Sequence, residues 1–246
     1  MNIIKTKSFE LAIYLKGERT SPKLAIIVPG RLDTKDYVHN TSLVDFLAGR
    51  GYFALSFDPP GTWESPGDIE LYTTTNCLKA VDELIEYFGN KPTLTAGHSR
   101  GGTTAILAGL NNHNITHFTA IFSYYGAPSD PEEENIINGK VMDFRDIPPG
   151  NAKTKEQIEF GLTLNYFEDG KHYDALEGLK NCTKPKLFFY GVEDDINDPE
   201  DVKKAYEESA EPKEIHALNS DHDYRYHPEI IEEVNQVIGK FLDKYS

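Results

Sequence analysis

The stretch Gly97-His98-Ser99-Arg100-Gly101 places a serine between glycines. An apolar run, TLTA, precedes it, and TTAILAGL, with helical spacing, follows. A strand that turns straight into a helix forces the serine between them into a strained conformation. Glycines two residues before and after remove side chains that would collide at such a bend. The hydroxyl is then lifted above the C-terminal edge of the sheet, and the amide of Arg100, at a helix N-terminus, faces developing negative charge. The competing interpretation is a glycine-rich turn whose serine only caps the helix. A serine hydroxyl is a poor nucleophile near neutral pH, so it needs a base, and the base needs an orienting acid. KLFFYGVEDDIND supplies Asp194, three residues past Gly191, with Asp195 as the alternative acid. ALNSDHDY supplies His222. The order serine, acid, histidine suits an elbow of this kind. All three fall at C-terminal strand ends, where open α/β sheets bind ligands.

Other residues compete for these roles. His98 is expected to pack or to support the site from behind. His216 lies inside a predicted strand and is expected to be a core histidine. His227, before Pro228, is expected to be structural. Asp221 and Asp223 could join Asp194 in a carboxylate group, but no metal-ligand spacing is present, so neither metal nor cofactor is expected.

The elements that must carry these residues alternate. Strands are predicted in KSFELAIYLKG, KLAIIVPG (23–30), YFALSFDPPG (52–61), TLTAGHS (93–99), FTAIFSYYG (118–126), KLFFYG (186–191) and KEIHALNS. Helical patterns occupy YVHNTSLVDFLAGRG, TTTNCLKAVDELIEYFG, RGGTTAILAGLNN, PEDVKKAYEESA and HPEIIEEVNQVIGKFLDKY. Strand–helix alternation implies a mainly parallel sheet flanked by helices on both faces. One domain, 1–246, is expected. Residues 128–172 break the rhythm with Asp-Pro, Pro-Pro-Gly and several aromatics, and no clean strand is evident there. So long a segment is not expected to be a bare loop. It is expected to be an inserted cap whose Phe144, Phe160, Tyr166 and Phe167 pack down over Ser99, with Phe160 and Tyr166 as substrate-binding candidates. The helix DALEGLKNC is expected to lead back to the sheet.

Composition narrows the function classes. The chain has 246 residues, 25 Lys and Arg against 40 Asp and Glu, and a net charge of -15. Phosphate neutralisation needs clustered cations, so nucleic-acid partners are disfavoured. Cys77 and Cys182 form neither a metal motif nor a disulfide framework. No apolar run reaches the length of a membrane span, and no signal-peptide pattern opens the chain. A soluble, cytoplasmic protein is expected.

With these motifs in place, the chain resembles the α/β-hydrolase superfamily. GHSRGG looks like its nucleophile elbow, YGVEDD resembles its G-x-x-D after the acid strand, and SDHDY resembles its histidine loop. DPPGTWESPG (58–67) is similar to the family's D-x-x-G-x-x-x-S, with Asp58, Gly61 and Ser65 in register. VPGRLD (28–33) stands where the family has His-Gly-x. Pro29 replaces that histidine, and Arg31 then takes the position whose amide is the second oxyanion donor, beside that of Arg100. The resemblance covers almost everything except the cap. It implies a serine hydrolase acting on a small-molecule carboxylic ester, with small capped esterases for short acyl or hydroxycinnamoyl groups foremost. Thioesterase or peptidase chemistry would use the same residues, whereas a haloalkane dehalogenase would need a carboxylate in place of Ser99. A non-catalytic receptor or scaffold of the same fold is the rival from another class. If the guanidinium groups of Arg31 and Arg100 face the pocket, an anionic or strongly polar substrate is implied.

Overall fold

The computed structural model describes residues 2–245. The strands of the main sheet are β1 (Asn2–Lys5), β2 (Glu10–Lys16), β3 (Leu24–Val28), β4 (Phe53–Phe57), β5 (Thr93–His98) and β6 (Ile115–Ile121), completed by β10 (Lys186–Gly191) and β11 (Lys213–Leu218). Between β6 and β10 lie β7 (Ile136–Ile137), β8 (Lys140–Asp146) and β9 (Gln157–Thr163). The helices are α1 (Val38–Gly49), α2 (Thr74–Tyr87), α3 (Arg100–Asn111), α4 (Leu164–Gly170), α5 (Leu176–Leu179), α6 (Pro199–Glu208) and α7 (Pro228–Tyr245).

The main sheet runs β1-β2-β4-β3-β5-β6-β10-β11. β1 and β2 form an antiparallel hairpin, β2 joins β4 antiparallel, and every other pairing is parallel. The near-continuous apolar composition of β3 follows from burial on both faces. Ala25 and Ile27 point toward α1 and α7, where Leu43, Val44, Leu47, Val234, Ile238 and Phe241 pack. Leu24, Ile26 and Val28 point the other way, toward Val81, Leu84 and Ile85 of α2 and Ala105 and Ala108 of α3. The two-residue period of a strand thus sorts one short run into two cores. The turn from β5 into α3 lies in the middle of this sheet, between β3 and β6.

Three expectations need correction. Residues 128–172 do contain strands: β7, β8 and β9 form a separate three-stranded antiparallel sheet, continued by α4. In KVMDFRD and QIEFGLT only some positions are covered, so no sustained apolar alternation marks them as strands. The return helix is a single turn, α5, rather than the whole of DALEGLKNC. His216 is not a core residue either: its side chain is about one-third exposed and Nε2 lies 2.7 Å from Glu233 on α7.

Candidate active site

Ser99 follows β5 directly and stands at the N-cap of α3 with φ 51 and ψ -124. Non-glycine residues rarely adopt positive φ, and the strain is held only where the surroundings impose it. Here the Ser99 amide donates to Ile121 O at 2.8 Å, which locks the turn onto β6. The first turn of α3 packs against the β3 end, where a Cβ on Gly97 would strike Gly101, and one on Gly101 would strike the carbonyls of Val28 and Pro29. Both glycines of the motif are therefore required by close backbone approach.

The other two members meet as the sequence order implies. Asp194, and not Asp195, faces the histidine: His222 Nδ1 lies 3.0 and 3.1 Å from the two carboxylate oxygens of Asp194. Asp194 Oδ1 also accepts the backbone amides of Ile196 and Asn197, both at 2.9 Å. Burial opposes ionisation of Asp194, but the bonds from His222 and these amides outweigh it and hold the carboxyl below its ordinary value. A charged acceptor on Nδ1 leaves Nε2 as the ring's working atom. Ser99 and His222 border one cavity of about 300 Å³. Among the described residues no hydrogen bond joins Ser99 Oγ to the His222 ring. Such contacts are often long in ligand-free sites and tighten with substrate.

The loop after β3 faces the elbow. Its Arg31 amide donates to no backbone carbonyl among the described residues, and the Arg100 amide, first in α3, has no intrahelical acceptor. The loop is clamped just after the Arg31 amide. Arg145 Nε donates to Arg31 O at 2.9 Å, the Leu32 amide donates to Tyr72 OH at 3.0 Å, and Trp63 Nε1 donates to Leu32 O at 2.8 Å. The Asp58 stretch braces the same loop from below. Asp58 accepts from Thr34 Oγ1 and the Lys35 amide, while Ser65 Oγ donates to Asp58 O and accepts from the Ala12 amide. Asp58 and Ser65 are thus structural, as is Gly61, whose positive φ and close approach to Asp68 O leave no room for a Cβ.

A group that sequence spacing did not suggest lies behind the histidine. Asp33, His39 and His98 are buried, and one carboxylate oxygen and two ring nitrogens lie within 4.8 Å of one another. These are the residues that could hold a cation. Arg145 Nε, 3.8 Å from Asp33 Oδ1, already supplies positive charge there. His98 Nε2 lies 2.9 Å from His222 O, so it donates to that carbonyl and supports the histidine loop. The missed signal was in α1: the stripe 39, 40, 43, 44, 47 that faces the core begins with two polar residues, His39 and Asn40.

This group makes stability pH-dependent. Burial lowers His39 to about 3 and lowers His98 as well. For Asp33, burial opposes ionisation, but His98, His39, Arg145 and Arg225 hold its carboxyl well below the usual range. Both histidines stay neutral when folded and take up protons when unfolded below about pH 6.5. The unfolded state then binds more protons, so stability falls with acidification from about 6.5 toward 3. Asp33 adds a further loss below its unfolded value. At pH 5 His39 costs about 2 kcal/mol relative to pH 7, and His98 adds a loss of the same sign. Calorimetric melts should show a Tm at least roughly 4–8 °C lower at pH 5 than at pH 7, and His39→Leu should flatten that difference. An unchanged slope would place the acid sensitivity elsewhere.

The cap contributes unequally to the site. Tyr166 and Phe167 line a cavity of about 480 Å³ together with Ser99, Arg31 and Arg100. Tyr166 also stacks on Tyr72 at 5.2 Å. Phe160 does not line it; its ring packs on Trp63 at 5.3 Å. Phe144 is exposed. The aromatics cover the site through α4 rather than through the strands, and Asp169 of α4 is tied to the first turn of α2 by Thr75. Phe167→Ala should shift the preference among acyl groups with little change in Tm. Phe160→Ala should cost about 1–3 kcal/mol, less than for a fully buried ring, and affect all substrates alike. Melting curves beside a substrate panel separate the two.

A sheet with a serine elbow at its centre and an aspartate–histidine pair on the same edge defines a class. The model of the alpha/beta hydrolase fold family matches residues 24–155, and this chain belongs to that family. The protein is similar to bovine (Bos taurus) "Palmitoyl-protein thioesterase ABHD10, mitochondrial", with 21% identity over 184 residues. That alignment covers 74% of this chain and 59% of the relative, so the chain spans about three-fifths of the relative's length. Among solved structures, Est1E from Butyrivibrio proteoclasticus with ferulic acid bound has a TM-score of 0.78 at 18% identity, covering 100% of this chain and 99% of that one. Mouse alpha/beta hydrolase domain-containing protein 10 matches equally, with a TM-score of 0.78, 18% identity and the same coverage. No helix among the described residues is long and apolar enough to cross a membrane.

Proposed function

We propose that the protein is a serine hydrolase that cleaves a carboxylic ester through an acyl-enzyme. The observation that carries this is His222, paired with Asp194 and bordering one cavity with Ser99, whose backbone is held at positive φ. Ser99 Oγ attacks the acyl carbon as His222 Nε2 takes its proton. Asp194 keeps Nδ1–H in place and stabilises the imidazolium. The amides of Arg31 and Arg100 receive the oxyanion. Collapse of the tetrahedral species expels the alcohol, protonated by His222. Water then attacks the acyl-enzyme with His222 as base, releases the acid and restores Ser99.

A lining that holds Arg31, Arg100, Tyr166 and Phe167 favours a short or aromatic acyl group over a long alkyl chain. The likeness to Est1E, a protein seen with ferulic acid, supports the hydroxycinnamoyl choice. Thioester cleavage is the second reading, favoured by the bovine relative's name. The free thiols Cys77 and Cys182 fit a reducing, cytoplasmic setting. A fluorophosphonate probe should label the protein at Ser99 and block turnover of oxygen esters and thioesters that share an acyl group. The kcat/KM ratio within each pair ranks the two readings. A chain that neither reacts with the probe nor turns over either series would be the non-catalytic scaffold instead.

A further inference from the structure

The larger cavity beside Ser99 has a charge opposite to that of the whole molecule. In a chain with 40 acidic and 25 basic residues, its lining includes Arg31 and Arg100 and no carboxylate. The two arginines differ. Arg31 Nη2 is paired with Asp143 at 2.7 Å. Arg100 has no carboxylate within ion-pair distance among the described residues, although the residue is only 7% exposed. Its guanidinium donates to Tyr124 OH and Thr74 Oγ1 and lies over the Tyr166 ring, 5.2 Å from its centre. Hydroxyls and a π-face orient a guanidinium but do not neutralise it. A buried charge without a counter-charge is costly, and two of the five N–H donors are engaged by those hydroxyls. Arg100 and Ser99 line the same cavity, so an anion bound to the Arg100 fork shares that pocket with the acyl group under attack.

We propose that Arg100 is an anion-binding subsite, and that the substrate is an ester carrying a carboxylate or comparable anionic group. The proposal rests on Ser99 being the nucleophile and specifies which esters it serves. The anion could be carried by the acyl part or by the alcohol. The shared chemistry is recognition by a planar, oriented guanidinium whose donors match an oxyanion two at a time. Arg31 stays with Asp143 and Phe167, where it shapes the rim.

The test compares kcat/KM for charged and neutral esters of matched shape. Monomethyl adipate against methyl 6-methylheptanoate probes an anion on the acyl side. 4-Acetoxybenzoate against 4-methylphenyl acetate probes the alcohol side. In one of the two arms the wild type should prefer the charged ester by about 10- to 100-fold, the range of a charge-assisted hydrogen bond. Arg100→Gln should reduce that preference to near unity, and Arg100→Lys should retain part of it. The backbone amide is common to each comparison, and the difference in leaving-group reactivity on the alcohol side cancels when the wild-type ratio is divided by the Arg100→Gln ratio. Independently of turnover, adipate or 4-hydroxybenzoate should raise the Tm of Ser99→Ala protein and not that of the double variant with Arg100→Gln.

A wild type that treats charged and neutral esters alike in both arms overturns the subsite and leaves the hydrolase intact. So does a preference that survives Arg100→Gln. If Arg100→Gln fails to fold, the wild-type ratios and the ligand-induced Tm rise in Ser99→Ala protein decide the matter. Absence of probe labelling and of all turnover would overturn the hydrolase reading, while the Tm shift would still report on the anion site.

Discussion

Replacing Ser99 by alanine is expected to lower ester turnover by roughly 10⁴- to 10⁶-fold while leaving the fold in place. The first half follows from the lining: of the residues that border both cavities, Arg31, Ser99 and Ile196, Ser99 alone carries a hydroxyl or thiol. Cys77, the nearer in sequence of the two thiols, is buried in the core beneath the cap, and that burial pushes its thiol up to about 12. The second half follows from what the hydroxyl does in the folded chain. It makes no cap bond to α3, and the amide bond to Ile121 O that holds the turn is a backbone contact that alanine keeps. Steady-state kinetics and a melting curve on the same preparation check both halves. Near-normal turnover would move the chemistry to another residue, and a collapsed melt would make the kinetic result uninformative about the nucleophile.

The second large effect is expected at Asp194. Asp194→Asn should reduce kcat by about 10³- to 10⁴-fold, because an amide donates where Nδ1–H needs an acceptor and favours the wrong tautomer. Asp195→Asn should change kcat less than twofold, since Asp195 is exposed and makes no contact with His222. The pair also tests the turn itself. Asp194 Oδ1 receives the amides of Ile196 and Asn197, so the variant should lower Tm as well, by the loss of a charged acceptor. Equal effects at 194 and 195 would mean that the turn rearranges and that neither carboxylate is committed to the histidine.

These assignments were largely legible in the sequence, and the reason is local. The elbow and the acid turn each follow a strand buried on both faces, the histidine loop follows the edge strand β11, and each signature is a handful of contiguous residues. Strand–helix alternation places them on one edge without further information. What was not legible is long-range. Asp33, His39 and His98 come from three separate elements, and only the register of β3 against β5 together with the entry of α1 brings them within 4.8 Å. Arg145 belongs to a short cap strand, yet it grips the carbonyl of Arg31 114 residues away. The cap strands themselves were hidden because β8 and β9 bury few side chains. Their stability comes from pairing with each other and from Leu162 and Val141 beneath. Phe160 and Tyr166 share an aromatic character in the sequence, but only the packed structure separates one that meets Trp63 from one that meets the cavity.

The φ of 51 at Ser99 has an evolutionary reading. Glycine is the residue that tolerates this conformation best, and any other side chain holds it against about 1–3 kcal/mol of strain. The position is thus a place where fitness for function and fitness for persistence pull in opposite directions. Passed through generations selected only for heat tolerance, a population of this gene would drift toward glycine at position 99 and become hardier and inert. With Ser99 as the proposed nucleophile, serine endures there only under selection that counts turnovers.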